Sequence, residues 1–215
     1  MAVLVSHSPF MDSTRRIPLW AWWVIGIAVI VAVSAGAVFL VRQSRPALPP
    51  GLVELRESVA KILEESSRLE DVDVKPLIEL EAKQDYAGAV ALLDRALAAN
   101  AAHETVAASL VGVSENLTKL AIQVKPDAVA TKAIEAFGLL AQLARAEQKF
   151  YEDRRQLYEM TKQYYAGLAD GKNPPIPPGL QPLVDAVNDD LARARGLRER
   201  FAAGVQAFDE AVAGR

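Results

Sequence analysis

GKNPPIPPG, residues 171–179, sets four prolines between two glycines, and its reading decides the fold. Four fixed φ angles and four missing amide donors forbid a helix there. On either side the pattern is the opposite. From Asp127, a candidate N-cap, to about Leu168 there is no proline, which predicts a helix of about 40 residues, ~60 Å long, with Gly138 a possible bend. From Leu183 to Val212 the row Val184, Val187, Leu191, Ala194, Arg198, Phe201, Val205, Phe208 and Val212 repeats every ~3.5 residues, the spacing of coiled-coil packing. Folding back about residue 174 brings the two rows together as an antiparallel hairpin. Tyr164 then meets Val184, Leu157 meets Leu191, Phe150 meets Arg198 and Leu143 meets Val205. Arg198 inside an apolar row is expected to lie over the Phe150 ring with Glu199 or Asp153 near it.

Residues 52–125 read as shorter helices. Leu52, Leu55, Val59, Ile62 and Leu69 share one stripe. Pro76 opens a short helix to about Gln84, and Asp85 caps another that runs to Asn100. Val106, Leu110, Val113, Leu117, Leu120 and Val124 form a further stripe, ended by Pro126. Upstream, Arg45-Pro46-Ala47-Leu48-Pro49-Pro50-Gly51 cannot be helical and reads as a stiff spacer.

The run from Ile17 to Val41, IPLWAWWVIGIAVIVAVSAGAVFLV, holds no charge. At ~1.5 Å per residue its 25 residues are long enough to cross a hydrocarbon core of about 30 Å with some tilt. Trp20, Trp22 and Trp23 mark an interfacial end. Ala35-Gly36-Ala37 has the A-x-A form of a cleavage site, but cutting there would leave VFLV at the new terminus, so a permanent anchor is expected. Thr14-Arg15-Arg16-Ile17-Pro18-Leu19 resembles the twin-arginine export signal, with Pro18 where that signal has Phe. Basic residues nearly balance across the run: Arg15 and Arg16 before it, Arg42, Arg45 and Arg56 after it. The Arg pair and the short N-tail favour a cytoplasmic N-terminus and an extracytoplasmic domain. Ala28, Ala32 and Gly36 form a small-xxx-small face through which two copies could pair as a homo-oligomer.

The expected fold is therefore all-α. A tail (1–16), a transmembrane helix (17–41) and a proline-rich linker (42–51) precede a short-helix bundle (52–125) and a long antiparallel, coiled-coil-like hairpin (126–215).

Lys83-Gln84-Asp85-Tyr86-Ala87-Gly88-Ala89-Val90-Ala91-Leu92-Leu93-Asp94-Arg95-Ala96-Leu97 resembles the second helix of a tetratricopeptide repeat. That family places a Gly-Asp-Tyr turn before a helix whose small alanines, here Ala89 and Ala96, permit close packing. Gln84 stands where the family has glycine, and the likeness covers about 17 residues (83–99) with no second copy at the family's period of about 34. The resemblance implies a repeat-like hairpin within the bundle, in a family whose grooves bind other proteins.

Composition narrows the function. With 51% hydrophobic and 24% charged residues the chain can bury a core. The first 46 residues hold Arg15, Arg16, Arg42 and Arg45 against Asp12 alone, leaving 20 Lys and Arg against 26 Asp and Glu in residues 47–215. A domain of that sign repels phosphate backbones, so no nucleic-acid partner is expected. With no cysteine, thiol catalysis, disulfides and Cys-ligated metals are excluded. His7 and His103 stand apart, and no G-x-S-x-G, phosphate loop or dinucleotide fingerprint occurs. No catalytic, cofactor or metal residue is assigned, and an enzyme would need carboxylates assembled across helices. Arg193, Arg195, Arg198 and Arg200 lie among Asp189, Asp190 and Glu199 and read as an ion-paired face.

Beside the Phe150, Leu157, Tyr164 seam runs a second row, Tyr151, Tyr158 and Tyr165, with Arg154 and Arg155 close by. Tyr and Arg are enriched at binding hot spots, so these five form the candidate partner surface, provided that the row is not packed against an earlier helix. The function expected is that of a single-pass, membrane-anchored helical scaffold of the cell envelope that binds other proteins. The alternative is an extracytoplasmic sensory bundle with a small ligand between its helices.

Overall fold

The computed structural model describes residues 48–214. The apolar run 17–41, with Ala28, Ala32 and Gly36, lies outside them, and no helix among the described residues is long and apolar enough to cross a membrane.

The described chain is all-helical. Helix α1 spans Leu52–Arg68, α2 Pro76–Ala82, α3 Tyr86–Ala121, α4 Asp127–Ala169 and α5 Leu180–Ala213. Local chemistry sets most ends. Gly51 precedes α1 at φ +88°, a left-handed conformation that L side chains resist. Pro76 sits in the first turn of α2, where its missing amide costs nothing. At the end of α2, Gln84 N–H donates to the Glu81 carbonyl and Asp85 N–H to the Leu80 carbonyl, at 2.9 and 2.8 Å. This paired closure needs a left-handed residue, and Gln84 supplies it at φ +56°. Gln84 thus adopts a conformation that glycine takes without penalty. Asp85 then caps α3 as expected, its Oδ1 accepting the Gly88 amide at 2.9 Å.

Two expectations are corrected in this half. The helices expected to part near Asn100 are one 36-residue helix, α3. Residues 98–107, AANAAHETVA, contain no breaker, and the Asn100 side chain does not cap a new helix. Its Nδ2 donates instead to the Tyr151 carbonyl on α4 at 2.9 Å. Asp127 is not an N-cap either. Pro126 occupies that position, and its carbonyl accepts the Val129 and Ala130 amides.

Helix α4 has 43 residues, ~65 Å at 1.5 Å per residue. It closes like α2, with Gly171 at φ +72° and the Gly171 and Lys172 amides donating to the Leu168 and Gly167 carbonyls. The chain then reverses through the prolines, and α5 runs back along α4. The expected antiparallel hairpin is present with a different register. Phe137 meets Phe208, Glu147 meets Arg198, and Gly179 lies over Met160, pairs that centre near residue 171 rather than 174. The closure at Gly171 shortens the turn by about half a heptad or more. Arg198 accordingly pairs with Glu147, and the guanidinium over Phe150 is that of Arg154, 5.1 Å from the ring centroid.

Helix α3 packs antiparallel on α4, α4 on α5, α1 on the C-terminal half of α3 and α2 on its N-terminal end. The core falls into two clusters. At the base, where α3 turns into α4, the four long helices enclose Leu52, Val59, Leu110, Leu117, Phe137, Leu140, Phe201 and Phe208, so one core joins the segments before and after Pro126. Arg56 closes the ring from α1 to α5 by pairing with Asp209 at 2.9 Å and lying over Phe208. At the tip, α2, α3 and α4 enclose Ala89, Leu93, Ala96, Tyr158 and Tyr165, with Val72 and Val74 against them. Helix α1 stops at Arg68, so above it α5 has α4 alone. No residue from 180 to 193 is buried, and Leu183, Val184, Val187 and Leu191 are half-covered.

Candidate functional site

Between the two clusters the core is polar. Among the described residues seven polar side chains are buried, and five of them, Asn100, His103, Glu147, Asp153 and Arg154, belong to this one layer. It forms where α1 has ended and the non-helical segment 69–75 crosses towards α2.

Arg154 is its centre. Nε donates to Asn100 Oδ1 at 2.6 Å, and Nη1 donates to both oxygens of Asp71 at 3.1 and 3.0 Å. The guanidinium lies over the rings of Phe150, Tyr151 and Tyr158, 5.0 to 5.8 Å from their centroids. Cation–π attraction replaces part of its lost hydration. Asn100, wholly buried, holds the helices together by giving Nδ2 to the Tyr151 carbonyl and to Glu104 Oε1. Glu104 also accepts Arg155 Nε at 3.1 Å.

His103 stacks on Tyr151, with centroids 5.0 Å apart and planes 9° from parallel. Neither ring nitrogen has a hydrogen-bond partner, nor does Nη2 of Arg154. Burial holds the His103 pKa below its usual value and Arg154 adds to the effect, against weaker opposition from Asp71, the Glu70 main chain and Glu147. His103 is therefore neutral at pH 7. Burial, and then Glu147, push the Tyr151 hydroxyl up to about 12.

On the α5 side, Lys149 donates to Asp153 at 2.7 Å and stands 3.8 Å from Asp190. Burial raises the Asp190 pKa, Lys149 opposes this, and the neighbouring Asp153 adds to it. These are carboxylates assembled across two helices, in direct side-chain contact with each other and with the Lys149 ammonium beside both. Among the described residues no group of three or more His, Asp or Glu side chains is placed to hold a metal ion.

The candidate partner surface is corrected by this geometry. Tyr158, Tyr165 and Arg154 are buried. Tyr165 donates its hydroxyl to Glu81 at 3.2 Å and stacks on Tyr86, and Tyr151 is held between His103 and Arg154. The row faces α3 because α3 is long enough to cover it, a continuity hidden by the expected break near Asn100. Only Arg155 keeps substantial exposure, and it pairs with Glu104 and Glu159. The residues not anticipated are Asn100, His103, Asp71 and Glu147. Asn100 and His103 carried a signal: they interrupt the small apolar row Leu93, Ala96, Ala107 and Leu110 at helical spacing. Asp71 carried none, since a loop carboxylate reaching a buried arginine leaves no periodic trace.

The chain matches no family model, no curated protein and no solved structure.

Proposed function

We propose that this chain is a single-pass, membrane-anchored helical scaffold whose bundle offers the tip of its α4–α5 hairpin to a protein partner. The observation that carries this reading is the half-covered row Leu183, Val184, Val187 and Leu191 on α5. At the base the same helix is covered by α4 and reached by α1, whereas at the tip, among the described residues, no helix besides α4 covers it. An amphipathic helix laid there would bury the row by the packing that buries Phe201 and Val205 below. Asp185 and Asp189 are exposed beside it, so the partner helix carries Lys or Arg at its flanks.

Anchoring by residues 17–41 supports the same arrangement. Leu48 already packs on the base cluster, leaving six residues after Val41, which span about 22 Å at most. The base then lies close to the bilayer and the half-covered row far from it, within reach of other envelope proteins. Pairing of two copies through Ala28, Ala32 and Gly36 is compatible with this placement.

Two linked measurements test the reading. Alkaline extraction should leave the full chain in the membrane fraction and release a chain lacking residues 17–41. Val187→Asp and Leu191→Asp should abolish co-purification of the partner without loss of helical signal. Extraction of the full chain, or partner recovery unaffected by both substitutions, would overturn it.

A further inference from the structure

Asp71 answers Arg154 imperfectly. Both of its oxygens approach one nitrogen, Nη1, while Nη2, buried in the layer, has no acceptor. A carboxylate free to move would span both nitrogens, the parallel fork that guanidinium groups favour. His103 has no side-chain partner for either nitrogen and only the Glu70 main chain of the same surface segment near its ring, and His103 and Arg154 each lie 5.0 Å from the centroid of the Tyr151 ring. Each is 7% exposed, whereas the Asp71 side chain is 59% exposed. The carboxylate thus reaches a buried site from a surface segment. Apart from Asp71, that segment rests on Val72 and Val74 against the tip cluster.

We infer that Arg154, Asn100 and His103 form a binding site for a small organic acid, with Asp71 as its resident internal ligand and segment 69–75 as a latch that a competing carboxylate displaces. The incoming carboxylate would take Nη1 and Nη2 together. Phe150, Tyr151 and Tyr158 would wall its apolar body. The exchange leaves the local charge unchanged, because one carboxylate replaces another. The other facing charges are already matched, Glu147 by Arg198 and Glu104 by Arg155. The inference stands apart from the partner reading, since it concerns the middle of the bundle and not the tip of α5.

The test uses the full chain in detergent micelles, with sodium benzoate and sodium acetate compared with sodium chloride at equal ionic strength. Removing the internal ligand by Asp71→Asn should let the organic acids raise the melting temperature saturably. The midpoint should fall at least about tenfold below that of the wild type, where a tethered carboxylate of high effective concentration must be displaced. In the wild type, benzoate should increase deuterium uptake in residues 69–75 and leave α3 and α4 unchanged. Arg154→Met should abolish both responses. If that variant does not fold, Arg154→Lys, which keeps the charge and loses the fork, should weaken them at least about tenfold. The inference is overturned if chloride matches benzoate on Asp71→Asn, or if the arginine variant that folds responds like its parent.

Discussion

Arg154 and Asn100 are joined by a 2.6 Å hydrogen bond from Nε to Oδ1 between two buried side chains, one on α4 and one on α3. Arg154→Ala would leave the Asn100 oxygen without its donor and remove three ring contacts, at an expected cost of about 2–4 kcal/mol. Asp71→Asn should cost about 1–2 kcal/mol, because its carboxylate is more than half in water yet makes two charge-assisted contacts to a buried guanidinium. The double variant Asn100→Leu/Arg154→Met should lose less than the sum of its two single changes, since neither member of the Asn100–Arg154 pair is then left buried without the other. Urea unfolding of the five variants, the two single changes included, followed by circular dichroism provides the comparison.

Gln84 holds a left-handed conformation at φ +56° that glycine adopts without penalty. Gln84→Gly should therefore stabilise the protein by about 0.5–1 kcal/mol, and the β-branched Gln84→Val should destabilise it. The urea midpoints of the two variants should lie on opposite sides of the wild type.

Helix α5 carries two glycines with opposite surroundings. A Cβ at Gly196 meets nothing within 4 Å, whereas one at Gly204 comes within 3.3 Å of the Ala136 backbone and of Leu139. Gly196→Ala should gain about 0.5–1 kcal/mol of helix stability. Gly204→Val should cost about 1–3 kcal/mol by forcing α4 and α5 apart. Equal thermal shifts for the two variants would contradict the close approach of these helices.

The pKa of His103 is lower in the folded protein than the usual value of about 6.5. Between those two values the unfolded chain binds a proton that the folded chain refuses, so stability rises with pH across that window and is complete above about 6.5. Asp190 and Asp209 act in the opposite sense. Burial raises both, against Lys149 and Arg56 respectively, and they favour folding at lower pH, an advantage lost as pH rises through their folded values. Replacing the imidazole by His103→Phe should flatten the slope just below pH ~6.5 and leave the carboxylate limb in place. Urea stability measured in half-unit steps would show it.

Much of this fold was legible in the sequence because the strongest signals were negative ones. The prolines at 174, 175, 177 and 178 and the proline-free runs around them fix an antiparallel hairpin whatever its register. The register was harder to read. A heptad row slides by one turn with little change in its pattern, and the closure at Gly171, which selects among the alternatives, was masked by the more conspicuous prolines. Asn100 misled in the other direction. The helix capped by Asp85 was expected to end there, whereas the Asn100 amide is used across α3 and α4, and that continuity turns the tyrosine row inward. The polar layer itself was only half visible, since His103 and Asn100 lie on a helical stripe but Asp71 reaches it from a loop.

The central claim, that the half-covered row at the tip of α5 receives a protein partner outside the bilayer, is tested most directly by a photo-crosslinking residue placed at Val187 and, as a control, at the exposed Glu199 of the same helix. In native membranes the account expects Val187 to form one discrete adduct with a second protein species, lost when Leu191→Asp is added, and Glu199 to form none. Equal labelling from the two positions, or an adduct that survives Leu191→Asp, would contradict it.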